Sequence, residues 1–259
     1  MITCLIKWQI LIISPFILVY ILNINSVNEW RQIDLKSLIS QLLIPLTLIL
    51  ACVSLIFGFG EILGAFKNTY TMHNYLSGKA LNLNWMITYL LHALDPQQFG
   101  RLTNDPWAMT IRTNQLKITL LPRMIFTVVY FVTLLKFFRT EKTFENLLLF
   151  SILTYLAYFL FNIGVHENHL FLIVILSLLL LWLNAKHLML AVVIIFINNI
   201  NLWIFSGFDG SAFGLNRGIW PISFMLSFLN LLLFLILIDN YIFHFNVIAK
   251  LKQSLKYKF

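Results

Sequence analysis

ISFMLSFLNLLLFLILIDNYIFHFNVIAKLKQSLKYKF, residues 222–259, carries two messages in one stretch. Between Ile222 and Phe243 the only charged side chain is Asp239, near one end. A helix rises ~1.5 Å per residue and the hydrocarbon core of a bilayer is ~30 Å thick, so about 20 apolar residues cross it. Lipid offers the backbone no hydrogen bonds, which makes the crossing segment helical. Past this run the chain carries Lys250, Lys252, Lys256 and Lys258. Lysines beside a spanning helix hold that end in the cytoplasm.

The rest of the 259 residues repeats the pattern. Hydrophobic residues make up 60% and charged residues 11%, with a mean hydropathy of +0.86. A soluble domain needs roughly a quarter of its residues charged to cover its surface, so much of this apolar excess must face lipid. Runs suited to crossing are Ile10–Leu22, Leu38–Gly58, Ile118–Phe138, Leu147–Ile163, His169–Leu183, Leu188–Phe205 and Ile222–Phe243. Ala80–Leu94 is an eighth helical stretch, too short and too polar to span, which reads as lying in the interface or re-entering the bilayer. The expected fold is therefore all-α, a polytopic transmembrane helix bundle of about seven spans plus one short interfacial or re-entrant helix, in a single transmembrane domain over residues 1–259.

Counting back from the cytoplasmic tail, Lys186, then Lys136, Arg139 and Lys142, then Arg31 and Lys36 fall on the cytoplasmic side of the cell membrane. Phe59–Lys117 and the loops around His166 and Asp209–Arg217 fall on the other side, and the N-terminus is extracytoplasmic. The first run does not read as a signal peptide. Lys7–Trp8 is a thin positive region, and no small-residue cleavage pattern follows Leu22. The net charge of +8 would point to nucleic acid in a soluble protein. Here its distribution over the loops accounts for it, and no nucleic-acid partner is expected. Cys4 and Cys52 lie in apolar stretches and read as small buried residues.

Polar side chains at the bilayer surface are the informative ones, and they gather in three clusters on the expected outer face. Gly164-Val165-His166-Glu167-Asn168-His169 joins two apolar runs. His166 and Glu167 there suit contact with a phosphate or sugar, while the alternative is an interfacial turn whose side chains meet water. His166 and His169 alone are too few ligands for a metal. In Tyr75–Trp85, Ser77-Gly78 marks a helix start with Ser77 as its cap, and Trp85 suits an interfacial anchor. Asn82 and Asn84 cannot share one helical face, so at least one reaches a cavity or backbone. The alternative there is a plain amphipathic surface helix. Ser206–Gly218 holds four glycines and Arg217, whose planar fork matches phosphate oxygens; a solvated surface turn is the alternative. Arg123, behind Pro122, either snorkels to the headgroups or adds a second cation to that face.

No Gly-rich phosphate loop ending in Lys-Ser/Thr, no Gly-x-Ser-x-Gly elbow and no His-Glu-x-x-His pair occurs. No cofactor is called for.

Val165-His166-Glu167-Asn168-His169-Leu170-Phe171 resembles the His-Glu motif of the GT-C superfamily of glycosyltransferases. Ala80-Leu81-Asn82-Leu83-Asn84-Trp85 is similar, more loosely, to an Ala-x-Asn stretch found upstream of that motif in bacterial members. Gly214-Leu215-Asn216-Arg217-Gly218 looks like their C-terminal region. The resemblance implies inverting sugar transfer outside the cytoplasmic membrane from a polyprenyl-phosphate sugar of mannose or glucose type. It places His166 near the donor phosphate, with Glu167 orienting it; His169 and Asn82 stand as further substrate contacts. Arg217 and Arg123 as phosphate contacts are a physical inference and not part of the resemblance. One departure stands against these matches. The family's catalytic carboxylate lies in the first outer loop, whereas Met1–Lys7 contains no Asp or Glu, and Glu29 and Asp34 fall on the expected cytoplasmic side. No catalytic base is carried over. The chain then reads as the C-terminal half of a longer enzyme, with a separately encoded N-terminal half as a possible partner beside membrane lipids. A transporter or flippase subunit is the rival, and it expects internal symmetry and broken spans.

Overall fold

The computed structural model describes residues 11–24, 35–64, 74–102, 109–115, 119–206 and 219–243. Everything regular within them is helical, and no strand forms among the described residues. The glycine-rich Gly207–Gly218 stretch with Arg217, the lysine tail and residues 1–10 lie outside them.

All eight expected stretches form helix. In chain order they contain α1 (Ser14–Ile21), α2 (Leu35–Leu38) leading through a π-turn into α3 (Ile44–Phe57), α4 (Leu83–Leu94), α5 (Pro96–Phe99), α6 (Leu120–Phe138), α7 (Phe144–Phe161), α8 (Phe171–Leu183), α9 (Leu188–Ser206) and α10 (Ile219–Ile238). The π-turn Ile39–Leu43 has a local cause. Pro45 has no N–H to return to the preceding turn, so the helix widens ahead of it. Four helices are long and apolar enough to cross a membrane: Leu120–Phe138, Phe144–Phe161, Ala185–Phe205 and Ile222–Phe243. Thr47–Phe57 and Glu167–Leu183 are shorter apolar helices. The expected span Ile10–Leu22 is reduced to the eight residues of α1 among the described residues, about 12 Å of helix at 1.5 Å per residue.

Helix α7 is the hub. It packs against α1, α4, α6, α8 and α10, and every residue from Leu147 to Phe161 is buried. Both of its ends are closed by side chains. At the start, Thr143 adopts an extended backbone and its Oγ1 accepts from Asn146 N–H at 3.1 Å. Just upstream, Lys142 Nζ donates to the carbonyls of Phe137, Phe138 and Thr140 at 3.1, 3.0 and 2.6 Å. A cation there satisfies the orphan carbonyls of α6 and opposes the negative end of its dipole. Glu145 then ties the α6–α7 turn to the α8–α9 turn: its Oε1 meets Lys186 Nζ at 2.6 Å and His187 Nε2 at 2.9 Å. The charged residues 136–145 and 184–187 thus share one end of the bundle. Residues 75–82, 164–170 and the start of α6 share the other.

Helix α4 turns a polar stripe inward. Asn84, Trp85, Thr88 and His92 are its buried residues, while Leu90 and Leu94 are exposed. The expected role of Trp85 as an interfacial anchor, and the alternative of a plain surface helix, are corrected here. Trp85 is fully buried, edge-on to Phe205 at 4.9 Å between centroids, with its indole N–H donating to Ser223 Oγ at 3.0 Å. The helix also starts later than expected. Asn82, and not Ser77, is the cap, its Oδ1 accepting from Trp85 N–H at 2.8 Å.

Candidate functional site

Non-helical backbone can sit inside an apolar bundle only if each N–H and C=O finds a partner. The segment Leu76–Asn82 is of this kind: every residue in it is buried, and several of its backbone groups pair with other segments. Leu76 N–H donates to Ile111 O at 2.9 Å and Gly78 N–H to Val165 O at 2.8 Å, while Tyr75 O accepts from Gly164 N–H at 2.9 Å. Deeper in, two asparagines from the helices clamp one residue. Asn201 Oδ1 accepts from Leu81 N–H at 2.8 Å, and Asn230 Nδ2 donates to Leu81 O at 2.9 Å. Asn201 also donates to Glu167 O at 2.6 Å, so a single side chain on α9 holds both polar segments.

The closest approach is at Gly78. A Cβ built there would lie 2.7 Å from His166 Nδ1 and 2.8 Å from Val165 O. Only a glycine lets the imidazole lie against this backbone. Gly78 and His166 form an isolated parallel bridge, so the first two polar clusters of the sequence meet in space. His166 then starts a single 3-10 turn, Glu167–Leu170, in which His166 and His169 cap each other reciprocally. His169 Nδ1 accepts from His166 N–H at 3.3 Å, and its ring stacks on Tyr158 at 6.0 Å. His169 is therefore buried and spent on positioning the turn. His166 and Glu167 keep about a fifth of their side-chain surface open, 23% and 18%, with Nδ1 and Oε2 3.9 Å apart. Glu167 Oε2 is buried without a hydrogen-bond partner among the described residues. A carboxylate oxygen in that state, beside an imidazole at the mouth of a packed turn, keeps its hydrogen-bond accepting capacity unspent within the described residues.

Asn82 and Asn84 both reach backbone. Asn82 Nδ2 donates to Phe159 O at 3.0 Å, and Asn84 Nδ2 to Phe161 O and Asn162 O at 3.3 and 2.7 Å. Together they close the C-terminal carbonyls of α7, so Asn82 supports the site from beneath with its amide engaged inside the chain. Arg123 is exposed in the first turns of α6, beside a cavity it shares with Tyr75 and Arg112. Arg217 lies outside the described residues. No group of three or more His, Cys, Asp or Glu side chains able to hold a metal occurs among the described residues.

Two participants escaped the sequence reading, Asn201 and Asn230. Their signal was present, since an amide inside an apolar run is costly unless partnered. The polar clusters drew the reading to the loops.

With this geometry in hand, the chain was compared with known proteins, and no family model, curated protein or solved structure matches it. The class of protein defined by fold and site is a helical membrane-type bundle with a buried irregular segment packed under a His-Glu turn.

Proposed function

We propose that the chain is an integral membrane glycosyltransferase component that handles a polyprenyl-phosphate sugar at the extracytoplasmic face. In this reading the helices complete about seven spans, with the N-terminus outside and the C-terminus in the cytoplasm. Helix α4 re-enters the bilayer with Leu90 and Leu94 toward lipid. One observation carries the proposal: the two separate stretches that resemble the GT-C family, Ala80–Trp85 and Val165–Phe171, belong to segments packed against each other, at Gly78 and His166.

Transfer breaks the bond between the anomeric carbon and a phosphate oxygen, and charge grows on the departing polyprenyl phosphate. A donor aimed at that oxygen lowers the barrier. His166 fills this role, with Glu167 on the neighbouring position holding the imidazole proton toward the phosphate. The base that activates the acceptor hydroxyl is assigned to no residue of this chain, and a partner polypeptide with an acidic outer loop supplies it.

The test is transfer in liposomes. The chain, co-expressed with such a partner, moves sugar from a polyprenyl-phosphate donor to an acceptor. His166→Ala slows this by about 100-fold while the protein remains folded. Full activity in that variant removes His166 from the site. No transfer from any polyprenyl-phosphate sugar by the unaltered pair removes the reading.

A further inference from the structure

Beside the His-Glu turn lies a cavity of about 470 Å³ at the same end of the bundle. Its walls come from three places. Asn74 and Tyr75 supply one, Arg112, Thr113 and Asn114 a second, and Thr119 and Arg123 at the start of α6 the third. The first two walls are locked together by the antiparallel Tyr75–Arg112 bridge and by Thr113 N–H donating to Asn74 O at 2.8 Å. Tyr75 O, in turn, holds Gly164 at 2.9 Å, which couples the cavity to the turn that carries His166.

The electrostatics of this cavity are one-sided. Arg112 and Arg123 are both permanently cationic, and none of the lining residues is acidic. No carboxylate among the described residues pairs with either guanidinium. The remaining lining side chains are hydroxyls and amides, all able to donate. Two cations at one cavity with no counter-ion among the described residues repel each other, and an anion that bridges them relieves that repulsion. The volume falls in the usual range for a ligand site of roughly 300–1,000 Å³, which leaves room for more than a bare phosphate. Around Arg123 the exposed neighbours are Leu120, Leu121 and Met124, so an apolar tail attached to the anion would run along α6 into lipid.

We infer that the cavity between Arg112 and Arg123 is a binding site for a phosphate group, with both guanidinium forks on its oxygens. The phosphate belongs either to the head of a membrane amphiphile or to a soluble phosphate compound. The inference does not rest on glycosyl transfer, because it concerns binding alone.

The experiment uses the full chain in phosphatidylcholine nanodiscs and measures binding of a polyprenyl phosphate, of the neutral polyprenol, and of inorganic phosphate. Saturable binding of the polyprenyl phosphate, with the polyprenol bound at least about tenfold more weakly, is the expected result. Competition by inorganic phosphate assigns the site to soluble phosphates as well, and lack of competition assigns it to the lipid head. Arg112→Gln and Arg123→Gln each weaken binding by about tenfold, the loss of one charge-assisted contact. Arg139→Gln, at the opposite end of the bundle, removes the same charge and leaves binding unchanged. Thermal unfolding midpoints check that the variants are folded. Equal loss in all three variants, binding unaffected by Arg112→Gln and Arg123→Gln, or no binding of either phosphate probe overturns the inference. Sugar transfer that fails while this binding persists removes the enzyme reading and leaves the phosphate site standing.

Discussion

Helices α3 and α7 are built from nearly the same material and occupy opposite situations. Each is an apolar run dominated by Leu, Ile and Phe, and neither has a strong apolar-versus-polar face. A helix that is hydrophobic all round belongs either in a core or in lipid. α7 takes the first solution, with Leu147–Phe161 buried without a break. α3 is left on the outside: none of its described side chains is buried, and Leu55 and Ile56 are 86% and 68% exposed. The ends differ in parallel. α7 has Thr143 at its start and Asn82 and Asn84 on its last carbonyls, whereas α3 has no side-chain cap and ends at Gly58 with φ +81°. Burial in this molecule goes to the helix whose termini are tied to other segments. In this pair, the helix with tied termini is the central one.

The most severe way to break this comparison is a cavity in the hub. Phe159→Ala lowers the unfolding free energy by about 3 kcal/mol, read from reversible unfolding in mixed micelles. An effect no larger than that of an exposed position would mean that α7 is not packed on all sides. Removing the clamp that brings the capping segment to α7 is next. Asn201→Leu leaves Leu81 N–H and Glu167 C=O without their partners, which costs about 2 kcal/mol. Asn201→Asp keeps the acceptor for Leu81 and separates the two contacts. The smallest effect sharpens the contrast from the other side. Leu55→Ala, in α3, changes stability by less than about 0.5 kcal/mol, because that side chain is 86% exposed. A cost similar to that of Phe159→Ala would show that α3 has a packing partner.

The eight helical stretches could be read from composition because their cause is local. An apolar run in lipid must satisfy its own backbone, and only the helix does so within one segment. The Asn82–Asn84 pair was legible for a similar reason, since their spacing alone rules out a shared face, and both indeed find backbone acceptors. Trp85 was misread because an aromatic with a polar tip suits both an interface and a core that offers an acceptor, and Ser223, which settles the matter, lies 138 residues away. Gly78 reads in sequence as punctuation for a helix start. Its use is close contact with His166, which spacing along the chain cannot reveal.

Sequence by itself determined that this protein is helical, apolar enough for a membrane, and supplied with polar clusters between its helices. Each of these follows from residues close together along the chain. Tertiary structure alone decided that α7 sits at the centre and α3 at the outside, that α4 faces its polar stripe inward, and that the Gly78 and His166 segments meet over a cavity bearing Arg112 and Arg123. These are outcomes of partner choice between distant segments. Among apolar helices of like composition, packing is told apart by a few polar ties, such as the buried asparagines, Glu145 with Lys186 and His187, and Trp85 with Ser223, and by a bare glycine at a close approach.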